Sequence, residues 1–200
     1  IKSALSQSYN NLEVIIVNDG STDKTHRIIN SIYDDRLIII NQQNLGAISA
    51  AYSGIQSAKG KYITFLDADD QLYPDAIQCL CEPLKKNGYG FSYCDYIEVD
   101  LSNDVRKIVS LSNFYNIMAC GVLFKSEIIK KVDFWDKKFI LPEYDFIFRV
   151  KKKYEGFYIS TPLYIYNRHS KSMTANKKMV DKAKKQIFEK YGFLEGFKEY

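Results

Sequence analysis

The chain predicts an α/β fold: a mostly parallel sheet flanked by helices, followed by a mixed C-terminal half. Three observations lead there. In the first 90 residues, apolar runs rich in β-branched residues alternate with helical segments three times, the pattern of a parallel sheet covered on both faces. After residue 90 the alternation stops and two strand-like runs meet at a short turn. No Pro/Gly/Ser-rich linker divides the halves, and 200 residues suffice for one sizeable core. The expectation is one domain over 1–200, with halves at 1–90 and 91–174 and a basic C-terminal helix at 175–200.

Residues 2–8 read as the end of a helix. "LEVIIVNDG" (12–20) is a buried strand closed by a turn signal. "STDKTHRIINSIYDD" (21–35) is a helix capped by Ser21 or Thr22, with Ile28, Ile29 and Ile32 on one face. "RLIIINQ" (36–42) is a second buried strand, and "NLGAISAAYSGIQSAKG" (44–60) a helix of small residues. "KYITFLDADD" (61–70) is the third strand, and residues 73–88 form a helix with Pro74 near its first turn. "FSYCDYIEVD" (91–100) and "DVRKIVS" (104–110) are antiparallel strands around "LSND". "MACGVLFK" (118–125) is a strand and "SEIIKKV" (126–132) a short helix. "PEYDFIFRVKKKY" (142–154) is a helix opened by Pro142, with acids in its first turn. "PLYIYNRH" (162–169) is a strand and "MVDKAKKQIFEKYGF" (179–193) an amphipathic basic helix.

Composition narrows the class. No apolar run approaches the length of a membrane span, and no signal-peptide pattern is visible. Cys79, Cys81, Cys94 and Cys120 lack the paired spacing of a zinc site and read as small buried residues of a reducing compartment. The basic residues are not interleaved with aromatics as in a nucleic-acid module, so no nucleic-acid partner is expected. The 16 Tyr and 12 Phe suit a bulky core. Residues 151–200 hold 12 Lys and Arg against 5 Asp and Glu, whereas 1–150 hold 16 against 19. An acidic body suggests a cation site, and the basic tail either a solvated face or an anionic partner surface.

Two strands end in acids: Val17 runs into Asn18-Asp19, and Leu66 into Asp67-Ala68-Asp69-Asp70. In parallel sheets ligands bind beyond the carboxyl ends of the strands. Carboxylates two residues apart at such an end can converge on one hard divalent cation, Mg²⁺ or Mn²⁺. Helix capping accounts for one of these acids, Asp70, but not for Asp67 and Asp69. In "VNDGSTD", Gly20 suits the turn, and Asp19 either belongs to the connection or accepts hydrogen bonds from a ligand.

Five blocks together carry a resemblance: "SALSQSYNNLEVIIVNDGSTDKT", "NLGAISAAYSGIQSAKGKYITFLDADD", "CGVLFKSEIIKKVDFWDKKF", "PEYDFIFRV" and "LYIYNRHSKSMT". In order and spacing they resemble an inverting family 2 glycosyltransferase of the GT-A, Rossmann-like fold over roughly residues 3–174. The resemblance implies a nucleotide-sugar donor (often UDP-linked), Mg²⁺ or Mn²⁺, and a saccharide or lipid-linked acceptor. It makes 1–90 the nucleotide-binding half and 91–174 the acceptor half. Asp19 takes the place that bonds the nucleotide base. Asp67 and Asp69 match the DxD pair, Asp67 toward nucleotide and metal and Asp69 on the metal. Asp70 lies toward the donor sugar, and His169 matches a histidine near the diphosphate and metal. Glu143 takes the place of the general base, with Asp145 a competing candidate. Surface polysaccharide or glycoconjugate synthesis in a bacterial cytoplasm is the implied setting, with peripheral membrane contact through the basic helix an added expectation.

This chain departs from the family pattern in places. The "ED" segment is Pro142-Glu143, and the usual Arg and Asn of the third helix are Ala51 and Tyr52, which leaves Lys24 or Arg168 to supply the missing contact. The family's first strand would precede Ile1. Trp135 belongs either to the core or to an acceptor groove. The departures keep two other readings open: a catalytically impaired nucleotide-sugar-binding module, and a sugar nucleotidyltransferase.

Overall fold

A computed structural model of the chain describes residues 1–86, 88–112, 121–132, 134–170 and 172–192. Helix α1 (Lys2–Leu5) leads to β1 (Val14–Asp19), α2 (Thr25–Asn30), β2 (Leu37–Gln42), α3 (Ala47–Ser57) and β3 (Tyr62–Thr64). Then come β4 (Gln71–Leu72), α4 (Ala76–Lys85), β5 (Tyr89–Asp100), β6 (Val105–Val109) and β7 (Val122–Lys125). The chain continues through α5 (Ser126–Lys131), α6 (Pro142–Lys151), β8 (Glu155–Arg168), a 3-10 turn and α7 (Lys177–Tyr191). Residues 118–120, read as the start of the seventh strand, lie outside the described residues, as does Cys120.

The α/β class stands, but the pairing is more mixed than the apolar runs suggest. β1 and β2 pair in parallel, and β5 and β8 form the long parallel centre of a second sheet ordered β3-β7-β5-β8-β4. β3, β4, β6 and β7 join antiparallel. β5 and β6 must do so, because their connection is too short for a crossover. Along β5, residues 91–93 pair with β7 and residues 96–100 with β6. β8 is longer than the strand read at 162–169. It passes Pro162 at an irregularity between Cys94 and Tyr96, where a residue without an N–H is tolerated.

Several local readings shift. β1 and β2 are half-buried rather than buried. The 61–70 strand shortens to Tyr62–Thr64, and the acids that follow lie in a turn closed by the Asp70 N–H on the Asp67 carbonyl. α2 starts at Thr25, whose N–H is taken by Asp23 Oδ1 at 2.8 Å; of its two isoleucines only Ile29 is fully buried, and Ile32 falls beyond the helix end. Cys81 and Cys94 are buried as expected, whereas Cys79 is only partly buried, and burial pushes the Cys81 and Cys94 thiols up to about 11 and about 12.

The main core lies between α4, α5, α6 and the larger sheet, around Leu80, Phe91, Phe124, Phe146 and Tyr164. A second cluster joins Leu141, Tyr144 and Phe148 to Ala183 and Ile187 of α7. The apolar face of the basic helix is therefore covered by α6, whereas its Phe188 is 51% exposed. Contact of α7 with an anionic surface would have to use its lysines. Among the described residues no helix is long and apolar enough to cross a membrane.

Candidate active site

Between β3 and β4 the chain makes a tight turn, with the Asp70 N–H bonded to the Asp67 carbonyl at 3.1 Å. Carboxylate oxygens of Asp67, Asp69 and Asp70 fall within 4.8 Å of one another. Asp67 and Asp69 are exposed, whereas Asp70 is 5% exposed. The end of β8 holds the turn. Asn167 N–H donates to Asp70 Oδ1 at 2.8 Å, and the Tyr164 hydroxyl donates to Asp70 Oδ2. Asn167 Nδ2 binds the Asp69 carbonyl at 2.6 Å, and His169 Nε2 lies 2.9 Å from Asp69 Oδ2. Burial pushes the Asp70 carboxyl up to about 7, with Asp67 and Asp69 adding repulsion against the two hydrogen bonds. Asp70 thus turns into the protein, with both of its oxygens engaged there. Asp67 and Asp69 are exposed, hard oxygen donors at the surface of the turn, and His169 stands beside Asp69. That donor set fits a divalent cation that prefers oxygen ligands.

Glu143 opens α6 just after Pro142, whose missing N–H costs nothing at a helix start. It is half-buried. Burial, with some repulsion from Asp67, pushes its carboxyl up to about 7. A carboxylate tuned there can take a proton at neutral pH. Asp145 stands about 200° around the helix and faces inward. It is wholly buried, accepting from Arg149 Nε at 2.8 Å, Lys190 Nζ at 2.6 Å and the Tyr191 hydroxyl at 2.6 Å. Burial alone would raise its carboxyl, but those bonds outweigh it and hold Asp145 below the usual carboxylate range. Of the two base candidates, Asp145 has both carboxylate oxygens engaged inside the protein, whereas Glu143 is half-buried and raised toward neutrality.

Residues 1–173 match the family described as Glycosyl transferase family 2. The chain belongs to glycosyl transferase family 2. It is 44% identical over 102 residues to the Escherichia coli UDP-Glc:alpha-D-GlcNAc-diphosphoundecaprenol beta-1,3-glucosyltransferase WfaP, covering 50% of this chain and 41% of WfaP. With an uncharacterized glycosyltransferase of Rickettsia typhi it shares 34% identity over 154 residues, 68% of this chain and 48% of the relative. The chain spans about half the length of the curated relatives it matches. Staphylococcus aureus TarS residues 1–349, solved with UDP-GlcNAc, superposes with a TM-score of 0.70 at 15% identity, over 94% of this chain and 61% of TarS. That likeness establishes the shared glycosyltransferase fold.

Within this family 2 domain, Asp19 also proves to be heavily bonded. Its oxygens accept Gln42 Nε2 at 2.7 Å, Leu45 N–H at 2.9 Å and Gly46 N–H at 2.8 Å. The Leu45 amide, then Gln42, hold the carboxyl below its ordinary range. The site therefore has Asp19 binding the 44–46 loop to the end of β1. Gly20 allows the same approach: its φ is +71°, and a Cβ there would sit 2.7 Å from the Asn44 nitrogen. Gly20→Ala is expected to cost about 1–3 kcal/mol from that backbone conformation alone, read as a lower thermal midpoint; an unchanged midpoint would show that the loop gives way.

The departures at the third helix also acquire partners. The Tyr52 hydroxyl donates to the Trp135 carbonyl at 3.2 Å, and Trp135 stacks on Phe134 and lies against Phe65, at the core edge. Arg168 lies 3.8 Å from the buried Glu98, which Lys107 also pairs. Lys24 stands at the N-terminus of α2. Sequence reasoning missed Tyr164 and Asn167, which set the turn's shape. Only the "LYIYNRH" block hinted at them, and nothing in their spacing points to Asp69 and Asp70.

Proposed function

We propose that this chain carries a sugar from a nucleoside-diphosphate donor, UDP-linked, to an acceptor hydroxyl with inversion at the anomeric carbon. The observation that carries the reading is the placement of a basic Glu143 on α6 within the field of the acidic turn, which belongs to the other half of the chain. An inverting displacement needs a base on one side of the sugar and charge stabilisation on the other, because the hydroxyl attacks opposite the departing diphosphate. Glu143 would take the hydroxyl's proton as the new bond forms. Asp69 and Asp67, with His169 beside them, would hold Mg²⁺ or Mn²⁺, which when bound neutralises charge growing on the diphosphate. Asp67 and Asp19 form the nucleotide side, Asp19 by holding the 44–46 loop. Asp70 sets the geometry of the turn through Tyr164 and Asn167. In this reading 1–90 is the nucleotide half and 91–174 the acceptor half, and the acceptor is a saccharide, free or lipid-linked, met on the cytoplasmic side of a bacterial membrane. The relatives' names support the donor class: WfaP uses UDP-Glc, and TarS was solved with UDP-GlcNAc.

A thermal-shift panel tests the donor. UDP, UDP-glucose and UDP-GlcNAc are expected to raise the midpoint in Mn²⁺ and to do so far less in EDTA, with GDP a weaker ligand. Equal stabilisation with and without cation, or preference for GDP, would refute the corresponding part.

A further inference from the structure

The family match ends at residue 173, yet α7, at 177–191, reaches back to the helix that carries Glu143. We infer that α7 is a brace for the candidate base and that Gln186, Lys190 and Tyr191 are positioning residues for the transfer reaction.

Two sets of bonds make the brace. Gln186 grips the segment that leads into Glu143: its Oε1 accepts Ile140 N–H at 2.9 Å and its Nε2 donates to the Lys138 carbonyl at 2.9 Å. Both of these backbone groups lie within five residues of Glu143, so the amide fixes the entry to α6. Lys190 and Tyr191 grip α6 itself, through Asp145. Asp145 passes the restraint on, because Arg149, bonded to it, also donates to the carbonyls of Val132 and, at 3.1 Å, Phe134. Phe134 stacks on Phe65 with ring centres 5.2 Å apart, two residues before Asp67. The apolar contacts of Ala183 and Ile187 with Leu141, Tyr144 and Phe148 fill the space between these anchors.

The charges explain the choice of residues. A wholly buried Asp145 is costly unless paired. Two cations and a hydroxyl converge on it, one cation from α6 and the other two groups from α7. Rotating α6 about its axis would break these bonds, so the direction in which Glu143 points is tied to α7. A helix that served only to cover apolar surface would not need a two-point amide on the lead-in loop or a buried charge at its end.

This inference rests on Glu143 being the base, and its test separates the two. Gln186→Ala, Lys190→Met and Lys190→Arg are compared with wild type. Hydrogen exchange of residues 138–146 and of residues 89–100 is followed in each, together with Mn²⁺-dependent turnover of UDP-glucose and UDP-GlcNAc. The expected result for Gln186→Ala and Lys190→Met is faster exchange in 138–146 with 89–100 unchanged, and a fall in kcat of about tenfold with donor KM within twofold. Lys190→Arg is expected to restore most of kcat. Unchanged exchange in 138–146, or equal loosening of both segments, would overturn the brace. So would a normal kcat beside a lowered thermal midpoint. If Glu143→Gln turned over normally, the base assignment would fall while the exchange result still judged the brace.

Discussion

Glu143→Gln is expected to lower transfer by about 10²–10⁴-fold, the range for loss of a positioned general base, with nucleotide binding retained. Glutamine matches glutamate in size and keeps the helix start, so the fold survives. It cannot take a proton. In the wild type burial pushes the carboxyl up to about 7, so kcat/KM should rise with pH across that value and level off above it. The same shift has a stability cost. A carboxyl raised above its unfolded value stabilises the fold in its neutral form, and that contribution is lost as pH rises from about 4.5 through about 7. At pH 8 the charged, crowded Glu143 would cost up to about 3 kcal/mol at 1.36 kcal/mol per unit. Glu143→Gln removes this, so the variant should melt higher than wild type at pH 8 and close to it at pH 5. Asp70, raised to about 7 as well, adds its own slope to both proteins and cancels in the comparison. Melting curves at the two pH values, beside a pH–rate profile, check both parts. An inactive variant with no gain in midpoint at pH 8 would mean that Glu143 carries no such burden, and an active one would exclude it as the base.

Much of this arrangement was legible in the sequence where a local signal exists. The runs "EVIIV" and "RLIII" mark β1 and β2 by composition alone, and Pro142 marks the start of α6. In "LDADD" the convergence of carboxylates was legible, because capping accounts for Asp70 but not for Asp67 and Asp69. Partners far apart in the chain were not legible. Asp70 looks like any third acid until Tyr164 and Asn167, more than ninety residues later, fold onto it. Asp145 was half legible: Arg149 lies four residues on, the spacing of a helical ion pair. Lys190 and Tyr191 carry no such marker, since a lysine and a tyrosine near a helix end are ordinary. The antiparallel entry of β3 and β7 escaped for a related reason, because an apolar run reports burial and not the direction of its neighbour.

Asp69→Ala is the second large effect, and the structure separates it from its neighbour. The Asp69 side chain is exposed, and the turn around it is held through its own carbonyl by Asn167 and through the Asp70 carboxylate. Cutting back Asp69 leaves those bonds in place, so its cost in stability should stay within about 0.5 kcal/mol, as for a surface residue. The proposed cation site, by contrast, would lose one of its two exposed carboxylates. Mn²⁺-dependent stabilisation by UDP should disappear, and donor turnover should fall by at least about 100-fold, several kcal/mol of charge stabilisation being at stake. Asp70→Ala should behave in the opposite sense. It removes the acceptor of the Tyr164 hydroxyl and of the Asn167 N–H, a buried donor left without an acceptor costing about 1–3 kcal/mol, and should lower the melting midpoint before any ligand is added. Calorimetric titration of UDP with and without Mn²⁺, set beside melting curves of the two variants, reads both. Retained cation dependence in Asp69→Ala would move the site elsewhere on the rim. A normal midpoint in Asp70→Ala would show that β8 does not hold the turn, and the separation of an outward-facing pair from an inward-facing third acid would fail with it.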